Sequence, residues 1–335
     1  EWDAGEVLAG DGSSKRNIWT AIDTASGANY VGSWNNWKSE NFSQINELFI
    51  STGNVVRDYH NSTSTCKNAE GVEDGNIDDI KGLINFVRGV DYFDYDGGCD
   101  ITEDRDSILA DIYHSQLVEV GAPNANTTFT SNNHEAYWRS TQNYNSFKNS
   151  NQNRSSMIYA GSNGGMLHAF NSDDGTEEWA FIPPMVASNI PLLGNANNYR
   201  AFLSNKKAGG TNAIFGVDGS PVIHDVKIKG LNSSGKDYET SKSWLTLLFV
   251  GYGRGGPGFS VLDVTKPKLV EGEKNDEGEL GTNPEELIVS ALAGCFNMKL
   301  AFVLNESGFK PKELNTNGIL IFKDGSTTSI ELSVK

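Results

Sequence analysis

Between Met157 and Ile182 the chain alternates short apolar runs with clusters of turn residues. Met157–Gly161 is an apolar run with the length of a strand. Ser162-Asn163-Gly164-Gly165 follows as turn chemistry, because Asn and Gly enter positive φ at little cost. Met166–Phe170 is the return strand, and Asn171–Gly175 turns the chain again. Trp179-Ala180-Phe181-Ile182 gives a third strand before Pro183-Pro184. Several antiparallel strands so close in sequence make one blade of a β-propeller or a piece of a sandwich. The pattern returns downstream: Trp244–Tyr252 is a continuous apolar strand, Gly253–Gly258 a tight turn and Phe259–Val264 the return.

Elsewhere the spacing is helical. Ser43–Ile50 has a helical period with Ser43 as its expected cap. Asp78–Arg88 places Ile80, Leu83, Ile84 and Val87 on one stripe. Ile18–Ile22 reads as a strand, and residues 91–106 as acidic turns. Residues 124–156 are rich in Asn, Ser and Thr, with Tyr137, Trp138, Tyr144 and Phe147 among them. They read as a loop or insertion that the aromatics anchor. Lys268–Glu279 is charged and breaks all periodicity, which marks a junction. From 283 to 308 one long helix is expected. Asn283, Pro284 and Glu286 carry the start signals, and Gly308, Phe309 and Pro311 those of a Schellman-type end. Gly318–Phe322 and Thr328–Val334 then form a hairpin, with Ile330, Leu332 and Val334 alternating with polar residues.

Thirty-six Gly and only 37% hydrophobic residues suit a turn-rich β surface. The net charge of −16 argues against nucleic acid as a partner and leaves no polybasic membrane patch. Leu287–Leu304 comes nearest to a membrane span, but Asn297 and Lys299 interrupt it, so a core helix is expected there.

The wording of five segments, in order, resembles the C-terminal propeller of the PilY/PilC family of type IV pilus tip-associated adhesins. They are Phe86–Asp91 (FVRGVD), Ala110–Pro123 (ADIYHSQLVEVGAP), Met157–Pro184, Phe215–Asp225 (FGVDGSPVIHD) and Phe249–Pro267 (FVGYGRGGPGFSVLDVTKP). Ala110, Gln116 and His224 depart from the family's usual residues. The resemblance covers about residues 1–268. Residues 281–335, opening GTNPEELIVSALAGCFNMKLAF, are similar to the central segment of the OsmC/Ohr thiol peroxidases. The expected fold class is therefore mainly β. It is a partial β-propeller of antiparallel blades with a small helical N-terminal element and an α+β C-terminal tail of long helix plus hairpin. The expected organisation is 1–123 as the N-terminal part of the propeller region, 124–156 as loop, 157–267 as blades, 268–280 as linker and 281–335 as a partial OsmC-like domain. The chain opens on Glu1 without a signal-peptide pattern and reads as an excerpt of something longer.

The resemblances assign the chemistry. Under the peroxidase likeness Cys295 is the attacking thiolate and Glu285 the acidic residue of its site. The family's Arg is not found here, and Cys295 sits deep in its helix, away from the dipole that favours a thiolate. An inert thiol is expected. In the adhesin-like part Cys66 and Cys99 are either a disulfide suited to a secreted domain or two separate buried thiols. Asp94, Asp96 and Asp100 lie in an acidic run (DYDGGCDITED) whose spacing fails that of a calcium loop, so calcium is at most a weak ligand and no other cofactor is expected. His114 and His168 are expected to be polar residues that define the fold, since neither has a Cys or His at metal spacing. The function implied is a non-catalytic role in adhesion and pilus biogenesis at the cell surface, with other type IV pilus components or a cell surface as partners. The rival reading is a cytoplasmic thiol-dependent peroxide reductase, and the OsmC-like tail would seek a second chain.

Overall fold

A computed structural model describes residues 1–21, 35–50, 76–94, 98–130, 133–194, 214–228, 243–256, 258–267, 300, 303–304, 306–309, 316–323 and 326–334. The N-terminal element contains helices α1 (Ala4–Asp11), α2 (Phe42–Ile50) and α3 (Asn76–Arg88), with the short strand β1 (Ile18–Trp19) between the first two. The first blade is β2 (Val118–Val120), β3 (Met157–Gly161), β4 (Leu167–Asn171) and β5 (Glu177–Phe181). These four run antiparallel, and β1 adds in parallel outside β5, giving the order β1-β5-β4-β3-β2. The second blade is β6 (Pro221–Ile228), β7 (Ser243–Gly251) and β8 (Phe259–Asp263), also antiparallel. A hairpin of β9 (Thr316–Lys323) and β10 (Ser326–Val334) closes the described chain, pairing Ile330 with Leu320 and Leu332 with Gly318. Both regions expected as blades are antiparallel sheets, and no closed barrel forms among the described residues.

The turns follow their residues. Asn171 accepts from the Gly175 amide at 2.8 Å and its side chain from the Asp173 amide at 3.1 Å. Gly175 has φ +78°, and a Cβ there would lie 2.5 Å from the Trp2 ring, so only Gly closes this turn under that indole. Pro184 opens the short helix α6 (Pro184–Ala187) at a position where its missing N–H costs nothing.

Both faces of the first blade are covered. Leu167, Ala169, Tyr159 and Trp179 pack with Val217, Leu248, Val250 and Leu262, toward the second blade. Met166, Ala180 and Ile182 pack with Phe49, Leu83, Ile84 and Phe86 of the helical element. Every residue of β4 is buried as a result, where an ordinary antiparallel sheet would keep one wet face.

Three expectations need correction. Helix α2 starts at Phe42 after a 3₁₀ turn at Ser39–Asn41, so Ser43 lies inside it and caps nothing. The 124–156 segment is not all loop, because α4 (His134–Thr141) and α5 (Tyr144–Ser150) lie in it. Asn133 caps α4 through the Ala136 amide at 3.0 Å. The anchor is Tyr144, fully buried and edge-on to Trp244 at 4.8 Å, with its hydroxyl donating to Asp225. Burial and that neighbouring carboxylate push the Tyr144 phenol well above its ordinary value. The expected long helix lies mostly outside the described residues. Its end carries Gly308 at φ +85° and a bond from the Phe309 amide to the Leu304 carbonyl at 2.8 Å, the backbone half of a Schellman cap. Phe309 itself is exposed, so the apolar half of that cap is not formed.

The two blades meet backbone to backbone. A Cβ on Gly161 would lie 2.2 Å from the Val217 carbonyl oxygen and one on Gly216 would lie 2.3 Å from that of Ser162, while within the second blade one on Gly255 would lie 1.7 Å from the Gly216 carbonyl oxygen. Gly255→Ala should therefore cost about 1–3 kcal/mol, because the obstacle is backbone and cannot swing away. The adjacent Gly256 has extended backbone and no atom closer than 3.8 Å, so Gly256→Ala should stay within about 0.5 kcal/mol of wild type. Urea melts of the two variants check the contrast.

Candidate functional site

Four of the motif segments converge where the blades meet. Asp111 receives the Asn163 amide on its carbonyl at 2.9 Å and the Asn163 side-chain amide on its carboxylate at 2.7 Å. Ser115 Oγ accepts from the Gly161 amide at 2.9 Å, and Ser220 Oγ from the Gln116 amide at 3.1 Å. The Ser162 carbonyl takes the Val217 amide at 3.0 Å. His114 Nδ1 lies 2.8 and 2.9 Å from the two oxygens of buried Asp218. The Asp218 amide in turn reaches the Tyr252 carbonyl at 3.2 Å. The segments 110–116, 161–163, 215–220 and 249–258 thus form one knot of hydrogen bonds.

A second cluster lies on the helical face of the first blade. Arg16 grips Glu177 with two parallel bonds, Nε to Oε2 at 2.7 Å and Nη2 to Oε1 at 2.8 Å. Its remaining donor, Nη1, serves the last carbonyls of α3, Val87 at 3.1 Å and Arg88 at 3.0 Å. His168 Nδ1 lies 2.6 Å from Glu177 Oε1, and His168 Nε2 lies 2.9 Å from Ser162 Oγ. All four side chains are buried. Burial alone would raise the pKa of Glu177. The Arg16 guanidinium outweighs it, helped by the hydrogen bond from His168, and the carboxyl ends far below its ordinary range. Arg88, bonded to the Trp37, Ser13 and Arg16 carbonyls, is pulled down to about 10 by burial and by the nearby Arg16 charge. A cavity of about 220 Å³ opens against Ser162 and His168, between the β3–β4 turn, Phe86, Ile108 and Ile214.

The chain falls into two matched regions. Residues 109–275 match the family model described as the PilY1 beta-propeller domain, and residues 275–335 match the OsmC-like protein model. The type IV pilus biogenesis factor PilY1 of Pseudomonas aeruginosa (strain UCBPP-PA14) is 30% identical over 84% of this chain and 20% of its own length. A PilY1 homolog of Xylella fastidiosa (strain Temecula1) is 30% identical over 58% of this chain and 14% of its own length. This chain carries a PilY1-type propeller region followed by an OsmC-like segment. The peroxiredoxin OsmC of Escherichia coli (strain K12) is 58% identical over 40 residues, 12% of this chain and 28% of its own. The chain thus spans about a fifth of the length of the first PilY1 relative. No solved structure matches it.

Of the residues proposed from sequence as site candidates, Asp94, Cys99 and Asp100 fall among the described residues. Cys295 and Glu285 lie outside the described residues, as do Cys66 and Asp96. Cys99 is disulfide-bonded. Asp94 Oδ1 accepts from the Cys99 amide at 2.8 Å, and Asp100 Oδ1 from the Thr102 amide at 3.0 Å and hydroxyl at 2.7 Å. The Thr102 bonds hold the exposed Asp100 carboxyl below its ordinary value. Among the described residues no three His, Cys, Asp or Glu side chains cluster as a metal site would. His168 is buried against Glu177, whereas His114 is half exposed and held at the surface by the buried Asp218 carboxylate. Sequence reasoning missed Arg16, Glu177, Arg88 and Ser162.

Removing the charge in Glu177→Gln leaves Arg16 buried without its counterion, and should cost about 3–5 kcal/mol in a denaturant melt. The pH dependence has a fixed sign. The folded carboxyl titrates below its ordinary value of 4.5, so the contribution is complete above that pH and lost as pH falls through the folded value. The wild-type and Glu177→Gln stability curves should lie apart at neutral pH and converge in acid.

Proposed function

We propose that the PilY1-type region of this chain serves a non-catalytic role in type IV pilus biogenesis and adhesion at the cell surface, with other pilus components or a cell surface as its partners. The observation that carries this reading is where the family's motif residues go. His114 and Asp218 tie one blade to the next, Asn163 accepts from the Gly216 amide across the same joint, and Asp111 and Ser115 brace the β3–β4 turn that forms it. A region whose signature residues serve its own rigidity suits a scaffold that presents loops and edges to a partner. The net charge of −16 fits a partner other than nucleic acid. Among the described residues no helix is long and apolar enough to cross a membrane.

The test is a graft. Residues 1–267 should replace the matching stretch of the Pseudomonas aeruginosa relative in a strain lacking its own copy. Surface pili counted by electron microscopy should return, and should fail to return with Gly161→Ala in the graft, because a Cβ there would lie 2.2 Å from the Val217 carbonyl oxygen of the second blade. Normal piliation with the blade contact broken, or none with it intact, contradicts the proposal.

The second reading rests on the OsmC-like match over residues 275–335, a range that includes Glu285 and Cys295. An OsmC-type site needs a guanidinium that this segment does not supply in sequence, so the purified chain should not turn over an organic hydroperoxide with a dithiol reductant. Turnover that disappears in Cys295→Ser would establish the peroxidase reading instead.

A further inference from the structure

We propose that Ser162, His168 and Glu177 form a serine nucleophile relay facing the cavity, able to take an acyl or sulfonyl group from a small activated ester or halide. The order is that of acyl-transfer sites: hydroxyl, imidazole, carboxylate, at 2.9 and 2.6 Å. The carboxylate accepts only, so Nδ1 carries a proton. In the neutral ring Nε2 is then the acceptor, and the Ser162 hydroxyl donates to it. Its other acceptor, the Met166 carbonyl, is more distant at 3.4 Å. Arg16 bonds both oxygens of Glu177, sharing Oε1 with His168, and fixes it as an anion, which makes Arg16 a positioning residue.

Two further observations point to a reacting group. Ser162, Gly164 and His168 all line the cavity of about 220 Å³. The Gly164 backbone N–H has no acceptor among the described residues, which leaves it available to an oxyanion. Arg105 also lines the cavity and adds positive charge, Asp111 and Asn163 add polar groups, and Phe86, Ile108, Met166 and Ile214 are apolar. The volume lies below the range of about 300–1,000 Å³ for drug-sized ligands, so the occupant is a short acyl group.

The step balances. The Ser162 Oγ–C bond forms as the ester C–O bond breaks, and the hydroxyl proton passes through His168 Nε2 to the leaving alkoxide. Water then attacks the acyl carbon, the acyl–Oγ bond breaks and a proton returns to Oγ. The net reaction is ester hydrolysis.

The test uses the purified full chain with methanesulfonyl fluoride, which has the same requirements: the Oγ–S bond forms, fluoride leaves and His168 takes the proton. Intact mass and peptide mapping should place one methanesulfonyl group on Ser162. Ser162→Ala should remove it, and His168→Gln should slow it at least about a hundredfold. Should Ser162→Ala unfold the chain, Ser162→Cys gives a second reading. Its thiol should be alkylated by iodoacetamide faster than the thiol of the Ser162→Cys, His168→Gln double variant. An unmodified Ser162 in the folded chain, or modification indifferent to His168→Gln, would overturn the proposal and leave the relay a structural tie.

Discussion

A carboxylate sealed inside the first blade must be neutralised in place, and that requirement organises much of this chain. Glu177 has no water to turn to, and its ionised form persists only because Arg16 arrives from the N-terminal segment with both prongs of its guanidinium. Arg16 is equally constrained, since its remaining donor must reach the last carbonyls of α3. The pair therefore ties three parts distant in sequence: the start of the chain, the end of α3 and the outer strands of the blade. Such a pair is weak evidence of net stability, because its desolvation offsets most of its attraction. Its effect is better described as specification. Any arrangement that separates the helical element from the blade strands a charge in an apolar layer.

The covering of the blade on both faces follows from the same joint. With helices α2 and α3 against one face and the second blade against the other, β4 is buried throughout. A polar residue there must be satisfied internally, and His168 is, between Glu177 and Ser162. The knot at the neighbouring turn does the corresponding task between blades. There the carbonyls, amides and short side chains of several motifs replace water for each other, and glycine allows the backbones to touch. Rigidity of this kind suits the scaffold role proposed above.

The fold was largely legible. The alternation of apolar runs with Asn, Asp and Gly turns located β3, β4, β5, β7 and β8, and the stripe of Ile80, Leu83, Ile84 and Val87 located α3. The buried relay was not, and the reason is local. In β5 the pairing of Ala169 with Trp179 is followed by that of Phe170 with Glu177, so a bulge skips Glu178. That slip turns Glu177 to the His168 face, whereas plain alternation would put it with Trp179. Nothing in EEW announces a bulge, and nothing in SKRNI distinguishes Arg16 from an exposed cation. The helices within 124–156 were missed for another reason: Asn and Ser lower helix propensity, and only packing of Tyr144 on Trp244 overrides it.

The central claim is that the N-terminal element and the first blade are one cooperative unit joined through Arg16 and Glu177. Native-state hydrogen exchange tests it most directly. The amides of Ala180 and Ile182, which bond to the Asn17 and Trp19 carbonyls, should open with the same free energy as those of Gly89 and Val90 at the end of α3 and of Ala169 within the blade. One shared value, equal to that of global unfolding, is the expected result. Early exchange at Gly89, Val90, Ala180 and Ile182 while Ala169 stays protected would contradict it, and would make the helical element a separate body merely resting on the blade.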